Sequence, residues 1–546
     1  MSEKIIWAVV YFAIVIYLGY RGWKETKVAS DYMLAGRQVH PFIMSMSYGS
    51  TFISTSAIIG FGGAAAMWGF PLLWLTFFNI FFGIFVAFVV FGKRTRRMGS
   101  ALDAHTFPEL LGRRYESRFL QGFAGAIIFL FMPVYAAAVL IGVARLLEVN
   151  LGIPYNVAVF IFTAITAIYV ITGGMKAVMY TDAFQGCLMF VIMAIFVFWT
   201  YHWLGGFTSA HQQLTDLALN PAATEAIKGH PMLRGWRGWT QGLDFGTPMW
   251  LVVYTTIVYG VGIGVLAQPQ LAVRFMTVKS DRELNRGVMY GGIFLMFMTG
   301  VAFVVGALSN VVFFKIPDIT GKVLGQVAFI GGDKNIDKII PAYVTNYFPE
   351  WFGTFFLLAM FAAAMSTLSG QFHAAGTSLG RDVYEKGLGA RVTNVLTVNR
   401  IAALVSVLLA MACAFVLPES IIAKATAFFF GLCSATFLPV FILGLTWKGV
   451  TKIGGIASML GGFAVSFFLL MFLHTPVSAP LGICKSLFGV PSLLASYAPG
   501  TTGFNMQFLD PNIVAMPVAF IIAWVVSMGT AKFEDKHLQK CWRFMA

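Results

Sequence analysis

Residues 46–70 read MSYGSTFISTSAIIGFGGAAAMWGF, an apolar segment crowded with small and hydroxyl side chains where a lipid-facing helix would carry Leu and Ile. Glycines weaken the helical hydrogen-bond ladder, and serine and threonine hydroxyls can bond the backbone groups that a break sets free. The segment therefore predicts a membrane helix interrupted near the middle of the bilayer, whose bare carbonyls can hold a cation. Close packing of continuous helices through small residues explains this segment, taken alone, equally well.

The remainder of the chain predicts an all-α, multi-pass membrane protein. It has 546 residues, of which 58% are hydrophobic and 11% are charged, and its mean hydropathy is +0.79. Its apolar runs have the length of membrane helices, whereas the strands of a membrane barrel are about half as long and alternate apolar with polar residues. Windows of about 19 residues give about thirteen spans. These lie near 5–21, 42–67, 70–92, 119–147, 155–173, 180–204, 247–272, 287–315, 340–380, 400–417, 421–447, 453–474 and 513–530.

The net charge of +14 reflects membrane topology and does not indicate a nucleic-acid partner, because the basic residues fall in short loops between spans. If the N-terminus is outside, the cytoplasmic loops hold roughly 26 Lys and Arg residues and the outer loops roughly 11. We therefore expect a plasma-membrane protein, or an inner-membrane protein in a bacterium, with its N-terminus outside and its C-terminus in the cytoplasm. The bilayer is an expected partner, and no obligate protein partner is inferred.

A second interrupted segment follows five spans after the first. Residues 257–275 read IVYGVGIGVLAQPQLAVRF, in which glycines and Pro269 again break an apolar run. Two broken helices at this separation predict two inverted repeats of five helices each. A proline kink without a function is the alternative, because Gly and Pro are common in membrane helices.

Polar residues in two further spans are candidates for ion binding. The ninth span contains LLAMFAAAMSTLSGQFHAAGTS (357–378), where hydroxyl and small residues recur at helical spacing on one face, with Ser369 extending the stripe. Asp182 opens the sixth span, and a carboxylate at the hydrocarbon edge requires a cation or hydrogen-bond donors. The alternatives are serines that bond their own helix and an aspartate that caps a helix.

Five motifs together resemble the sodium:solute symporter family, which includes proline, pantothenate, sialic acid, galactose and monocarboxylate transporters. They are TSAIIGFGG within 51–63, FPELLGRRY (107–115), ITGGMKAVMYTDAFQ (171–185), AQPQLAVRFMTVKS (267–280) and AAAMSTLSGQ (362–371). The resemblance covers nearly the whole chain. It implies a LeuT-type fold of two inverted five-helix repeats, with one helix before them and additional helices after them.

The expected divisions of the chain follow from that resemblance and from the spans. They are 1–40 for the first transmembrane helix and a cytoplasmic loop, 41–205 for the first five-helix repeat, 206–246 for an extracellular loop, 247–447 for the second repeat, and 448–546 for the C-terminal transmembrane helices and cytoplasmic tail.

The resemblance also implies a sodium site made of neutral oxygens. Its carbonyl ligands would come from Ser50, Ile53 and Ala363, and its hydroxyl ligands from Ser366 and Thr367. Neutral carbonyl and hydroxyl groups suit a hard cation that must be released again. A second sodium position, known in some members, would use Asp182 and Ser369 together with Ser366. Gly370 stands where those members carry another hydroxyl, so one sodium per cycle is expected.

The solute is expected between the two broken helices. The candidate binding residues are Phe52, Ser54, Ser56 and Ala57 on the first and Gly264, Gln268 and Gln270 on the second. The spans place no Arg or Lys beside these residues, so helix N-termini, hydroxyls, amides or sodium itself would meet a carboxylate. Sugar-transporting members carry polar, amide-bearing and acidic groups at three of these positions, which argues against a sugar here.

The sequence thus predicts a sodium-coupled symporter that imports a small carboxylate-bearing solute by alternating access. The solute would be a monocarboxylate, a pantothenate-like acid or an amino acid such as proline, and sodium is the coupling ion. A membrane solute sensor of the same fold, acting through a separate signalling partner, is the alternative. A channel is disfavoured by the scarcity of charges within the spans, and an enzyme by the lack of a clustered nucleophile and base.

Overall fold

A computed structural model describes residues 2–228, 235–318, 320–331, 335–417, 422–498 and 501–545, and these are almost entirely helical. The long apolar helices are α1 (Ser2–Glu25), α2 (Pro41–Phe52 with Ser56–Trp68), α3 (Phe70–Ala101), α4 (Arg118–Leu151), α5 (155–173), α6 (175–203), α7 (Pro248–Ala267), α8 (Asp281–Lys315), α9 (Glu350–Gly387), α10 (Val395–Val416), α11 (Ile422–Thr446), α12 (Lys452–Leu473) and α13 (Asn512–Met528).

The part of the chain that the structure describes holds ten to thirteen candidate spans, depending on how broken and short helices are counted. Ten helices are long and apolar enough to cross a membrane, and the bent pair that forms α2 makes eleven. The run Tyr155–Trp203 has 49 residues, which at 1.5 Å per residue is about 74 Å and exceeds twice the hydrocarbon thickness. It is broken at Gly174, so we count it as α5 and α6. With the 17-residue helix α13 the count reaches thirteen, the number predicted from the sequence.

One predicted boundary is wrong. The ninth span was expected at 340–380, but Ile339–Tyr347 forms a separate short helix and α9 begins only at Glu350. Phe348 is extended, with φ −109° and ψ 152°, because the residue before a proline is pushed out of the helical region. Hydropathy alone does not register this interruption, since a window of about 19 residues averages Pro349 and Glu350 with the many apolar residues around them.

The first predicted break lies in α2, between Phe52 and Ser56, where the two half-helices meet at an angle of 51°. Ile53 leaves the helical region, with φ −85° and ψ 88°. The Ser54 carbonyl then accepts from the amides of Ala57 and Ile58 at 3.0 and 3.2 Å, which starts the second half-helix. The break leaves the last carbonyls of the first half-helix without partners in their own helix.

The second predicted break lies at the end of α7. Gln268 is extended, with φ −71° and ψ 114°, and Pro269 begins a new short helix, Pro269–Ala272, followed by a tighter turn, Val273–Met276. Proline suits this position because a first helical residue needs no amide donor. Both interruptions predicted from the sequence are therefore present.

The two broken helices lie in the interior of the bundle. The most apolar windows of α9 and α11 are 89% buried, whereas that of α1 is 22% buried. α9 packs against α2, α4 and the α5–α6 run, and α1 packs on the outside of that run. The central helices are thus α2, α7, α9 and α11, while α1, α3, α10 and α12 present much of their surface to lipid.

Gly174 gives a test of the turn that separates α5 from α6. Its φ of 59° and ψ of −154° are open essentially to glycine alone. A Cβ there would also lie 2.4 Å from the Tyr32 ring. We expect Gly174→Ala to lower the free energy of unfolding in detergent micelles by about 1–3 kcal/mol.

Gly292→Ala is the matched control for that variant. Gly292 lies inside α8, and its nearest neighbour would stand 3.8 Å from an added Cβ. Alanine is the better helix former there, so stability should be unchanged or slightly higher. Equal stability of the two variants would contradict the assignment of a glycine-only turn at residue 174.

Candidate functional site

Two hydroxyls of α9 contact the backbone of α2 at its break. The Ser366 hydroxyl donates to the Ser50 carbonyl at 2.9 Å, and the Thr367 hydroxyl donates to the Thr51 carbonyl at 3.0 Å. Both side chains are fully buried. The carbonyls that the break sets free thus find their partners on α9.

The structure brings Ser50, Ala363, Ser366 and Thr367 of the expected sodium site to this interface, and Ile53 follows Ser50 by three residues at the break. Ser50 and Ile53 lie on the first half of α2 and at its end, and Ala363 lies one turn before Ser366 on α9. The Ser366 hydroxyl also lies 2.7 Å from the Ala362 carbonyl and 3.3 Å from that of Ala363. The surroundings therefore consist of neutral main-chain and hydroxyl oxygens, which is a donor set that sodium accepts.

Asp182 forms the centre of a second buried cluster. Its carboxylate accepts from the hydroxyls of Ser47 at 2.7 Å, Thr51 at 3.1 Å and Ser369 at 3.0 Å. The Arg274 guanidinium also donates to it at 3.0 Å, and both charged side chains are completely buried. The Asp182 carboxylate therefore has a cationic side chain as its counter-charge and three hydroxyls as hydrogen-bond donors.

The position of Arg274 corrects the expectation that no Arg or Lys lies beside the broken helices. Arg274 follows the second break by six residues and donates to the Gln270 carbonyl, to the Ser47 hydroxyl at 2.9 Å and to the Thr51 hydroxyl at 2.6 Å. It fell two residues beyond the predicted span 247–272. The sequence did carry a signal, because an arginine inside LAVRFM is a charge in an apolar run and requires a partner.

The Asp182–Arg274 pair joins four elements of the core. Ser47 belongs to the first half of α2, Asp182 to α6, Arg274 to the turn after α7, and Ser369 to α9. A buried ion pair adds little stability by itself, but removing one partner leaves an uncompensated charge and costs about 3–5 kcal/mol. The pair thus fixes the inner segments of both broken helices relative to each other.

A small cavity lies between the broken helices. Its volume is about 30 Å³, which is room for one or two water molecules. Three predicted solute-binding residues line it, namely Phe52, Ser54 and Ala57. The other lining residues are Ile53, Phe61, Leu75, Asn79, Tyr135, Val261, Met298, Thr299, Phe303, Thr426 and Phe430.

The other predicted solute-binding residues lie next to this cavity without lining it. Gly264 packs against Phe430, a lining residue, so closely that a Cβ there would lie 2.7 Å from the Phe430 carbonyl. The Gln270 amide donates to the Gln268 side chain at 3.1 Å, and Gln268 donates to the Gly264 carbonyl at 3.3 Å. Ser56 is buried with its hydroxyl unpartnered. These amides therefore form a short chain along the second break.

The cavity lining is aromatic and carries no charged side chain. Its polar groups are the hydroxyls of Ser54, Thr299 and Thr426, the phenol of Tyr135 and the amide of Asn79. The Asn79 carbonyl oxygen is buried without a hydrogen-bond partner, which is costly unless a ligand or water completes it. Sequence reasoning missed Asn79, since one amide in the aromatic run LTFFNIFFG shows no periodic pattern.

An ion-pair network lies at the end of the bundle that holds the FPELLGRRY motif. Glu109, in the short helix Phe107–Arg114, pairs with Arg113 at 2.6 Å and with Arg381 of α9 at 3.0 Å. Burial tends to raise the Glu109 pKa, but hydrogen bonding to His105 and the charges of Arg381 and Arg113 hold that pKa well below its usual range. The carboxylate is thus ionised and ties α9 to the loop before α4.

These features define a class of protein. Two interrupted helices that enclose a neutral cavity at mid-bundle, beside an oxygen-lined contact with a third helix, are the architecture of a secondary transporter. Its family follows from comparison with known sequences. The model of the sodium:solute symporter family matches residues 32–462, and the chain belongs to that family, whose members are transporters and not enzymes.

Relatives and a solved structure agree with this assignment. The chain is 27% identical over 520 residues to the sodium/pantothenate symporter of Haemophilus influenzae, covering 94% of each chain. It is 26% identical over 540 residues to a sodium/proline symporter of Staphylococcus aureus, covering 95% of this chain and 94% of that one. A sodium-coupled sialic acid symporter, solved in a substrate-bound outward-open state, matches with a TM-score of 0.71 at 16% identity, covering 97% of this chain and 98% of that one. The predicted LeuT-type fold is confirmed.

The buried ion pair gives a test of the site's architecture. Asp182→Asn leaves the Arg274 charge buried without a counter-charge, so we expect the free energy of unfolding in mixed micelles to fall by about 3–5 kcal/mol. Adding Arg274→Gln to Asp182→Asn removes the stranded charge and should restore part of the loss. A double variant less stable than either single variant would contradict the pairing.

Proposed function

We propose that the protein is a sodium-coupled symporter that imports a small carboxylate-bearing organic solute by alternating access. The observation that carries the proposal is the contact of the Ser366 and Thr367 hydroxyls with the bare carbonyls of α2, beside a neutral cavity. Relatives named for pantothenate and proline both take solutes with a carboxylate. The orientation we propose has the N-terminus outside and 41–205 and 247–447 as the two inverted repeats.

The proposed sodium ligands are the carbonyls of Ser50, Ile53 and Ala363 and the hydroxyls of Ser366 and Thr367. Sodium must displace the two hydroxyl-to-carbonyl hydrogen bonds that now join α9 to α2. The Ser366 proton has a second acceptor, because the Ala362 carbonyl lies 2.7 Å away. The hydroxyl oxygen can therefore face the ion while its proton stays hydrogen-bonded within α9.

One sodium per cycle is the proposed stoichiometry. A second sodium at Asp182 and Ser369 would need the carboxylate as its counter-charge, and Arg274 already supplies a positive charge 3.0 Å from it. Two cations beside one buried carboxylate would leave a net charge in a low-dielectric interior. The second position is therefore proposed to accept sodium only if Arg274 withdraws.

The proposed solute site is the cavity lined by Phe52, Ser54 and Ala57, enlarged toward Ser56 and toward Gly264, Gln268 and Gln270. Its aromatic walls suit an aliphatic body, and the side-chain NH2 of Asn79 and the hydroxyl of Ser54 are the donors we propose for a carboxylate, while the unpartnered Asn79 Oδ1 would accept from a donor elsewhere on the solute. The second half of α2 begins beside Ser54, and a helix N-terminus favours an anion. Because the cavity is only about 30 Å³, solute binding requires Phe52 and Phe430 to move apart.

Sodium and solute are coupled in this mechanism because both bind at the break of α2. Binding of one favours binding of the other by the same factor in each direction. The sodium gradient, together with about 2.3 kcal/mol per charge for each 100 mV of membrane potential, would drive accumulation of the solute.

The sodium site is tested by Ser366→Ala and Thr367→Ala. Each variant removes one proposed ligand, so we expect the sodium concentration for half-maximal uptake into proteoliposomes to rise tenfold or more, which is about 1.4 kcal/mol. Ser406→Ala is the matched control, since Ser406 is buried in α10 and its hydroxyl bonds only its own helix, at the Ala402 carbonyl. Unchanged sodium dependence in both site variants would refute the assignment.

The same proteoliposomes separate a carrier from a sensor or a channel. A symporter gives saturable uptake of a carboxylate solute that moves charge and requires an imposed sodium gradient. A sensor binds the solute without accumulating it, and a channel gives sodium current that does not saturate with solute.

Asn79→Leu tests the solute site separately. Leucine has nearly the same shape but offers no hydrogen bond, so we expect the KM for the carried carboxylate to rise about tenfold or more, since a hydrogen bond to a charged group is worth about 1.5–3 kcal/mol. The sodium dependence at saturating solute should stay that of the parent. An unchanged KM would exclude Asn79 from the solute site.

A further inference from the structure

A buried carboxylate outside the sodium and solute sites lies just before the last membrane helix. Asp510 is 2% exposed and belongs to the segment that leads from the 475–512 loop into α13. Its backbone amide donates to the Thr255 hydroxyl of α7 at 2.9 Å, and its Oδ1 accepts from the backbone amide of Asn512 at 2.8 Å. The segment is thus anchored to α7, one of the broken helices.

Asp510 and Asn512 pack against glycines of two central helices. A Cβ at Gly260 of α7 would lie 2.9 Å from Asp510 Oδ2, and a Cβ at Gly431 of α11 would lie 2.9 Å from the Asn512 side-chain nitrogen. The next residue along α7, Val261, and the residue before Gly431, Phe430, both line the candidate solute cavity. The carboxylate therefore lies directly behind the wall of that cavity.

No cationic side chain of the described residues lies within ion-pair distance of Asp510. The ionisable groups that face it are Tyr259 of α7 and His474, which follows α12 and contacts Thr256 at 3.4 Å. The His474 ring is buried with its Nδ1 unpartnered, and burial without a counter-charge favours the neutral form of an imidazole. α11 meets this segment through Gly431, which has no side chain.

The neighbouring oxygens do not make a sodium site. The Thr255 hydroxyl already donates to the Leu251 carbonyl at 2.5 Å and accepts from Asp510. The Asn512 side chain is buried with both amide atoms unpartnered, which leaves one free amide oxygen beside the carboxylate. An ionised carboxylate in an apolar interior without a cation is strongly unfavourable, and two free oxygen groups fall short of the ligand shell a sodium ion needs.

We propose that Asp510 is a proton-binding site, occupied while α7 is packed against the segment that carries Asp510 and vacated when α7 moves away and water reaches the carboxylate. The proton makes this packed arrangement neutral. Closure of α7 onto this segment is therefore linked to binding of one proton.

The sign of the linkage follows from the two environments. The packed arrangement holds the proton more tightly than the hydrated one, so low pH favours the packed arrangement and this preference is lost as pH rises. Transport, which must pass through both arrangements, should slow at alkaline pH as the packed arrangement becomes harder to reach.

The experiment compares the parent with Asp510→Asn, which keeps the shape and cannot ionise. Difference infrared spectra of the reconstituted protein, between acidic and alkaline buffer, should show a buried protonated carboxyl band in the parent that Asp510→Asn lacks. Asp216→Asn, an exposed carboxylate of the helix Phe207–Leu217, is the matched control and should keep the band. Presence of the band in Asp510→Asn overturns the proposal.

A second measurement uses solute uptake between pH 5.5 and 8.5 at fixed sodium, and it alone rests on the proposed symport function. In the parent, the rate of solute uptake should fall as pH rises. This fall should be at least threefold smaller in Asp510→Asn, and Asp216→Asn should show the same fall as the parent. An unchanged pH profile in Asp510→Asn overturns the link to transport. If sodium abolishes the infrared carboxyl band at constant pH, Asp510 binds a cation and the proton assignment is overturned. Failure of uptake in the parent would contradict the proposed symport, whereas the infrared result on Asp510 would stand.

Discussion

Every other feature of this site depends on one constraint, which is that a helix broken inside a bilayer must find partners for the backbone groups it frees. No water is available there, and each unpartnered group costs several kcal/mol. Here the carbonyls of Ser50 and Thr51 are satisfied by the hydroxyls of Ser366 and Thr367 at 2.9 and 3.0 Å. The two hydroxyls and the Ser50 carbonyl are among the oxygens proposed to bind sodium. An ion at that proposed site would compete with two ordinary hydrogen bonds, which would keep its binding weak enough to reverse.

Two groups of buried charged side chains are neutralised by pairing. Arg274 and Asp182 neutralise each other and tie together the first half of α2, α6, α9 and the turn after α7. Glu109 with Arg113 and Arg381 forms a separate network where α9 ends. Between these clusters the cavity walls carry no charged side chain. A carboxylate in the proposed solute site would thus meet only dipoles, and the proposed coupling ion would supply the net positive charge.

The sequence allowed the prediction of features whose causes are local. Glycine, proline and hydroxyl residues mark both helix breaks, and apolar length marks the spans, so the interruptions near Ile53 and Gln268 were found at the right places. Arg274 and Asn79 were missed because their roles depend on packing between distant segments. The predicted span ends before Arg274, so the sequence does not indicate its pairing with Asp182. Asn79 is a single polar residue among phenylalanines, so the sequence does not indicate that it lines a cavity. The boundary at Pro349 was missed because the window weighs polarity and not backbone conformation.

In the proposed mechanism, coupling between ion and solute needs no long pathway, because five consecutive residues lie at both proposed sites. Ser50 and Thr51 present their carbonyls to α9, while Phe52, Ile53 and Ser54 line the cavity. Ile53 joins the two groups and has the non-helical backbone. A solute that displaces the Phe52 ring must also shift the carbonyls next to it, and an ion that fixes those carbonyls must also fix the ring. In the proposed mechanism, the break is therefore the point at which sodium binding and solute binding become one event.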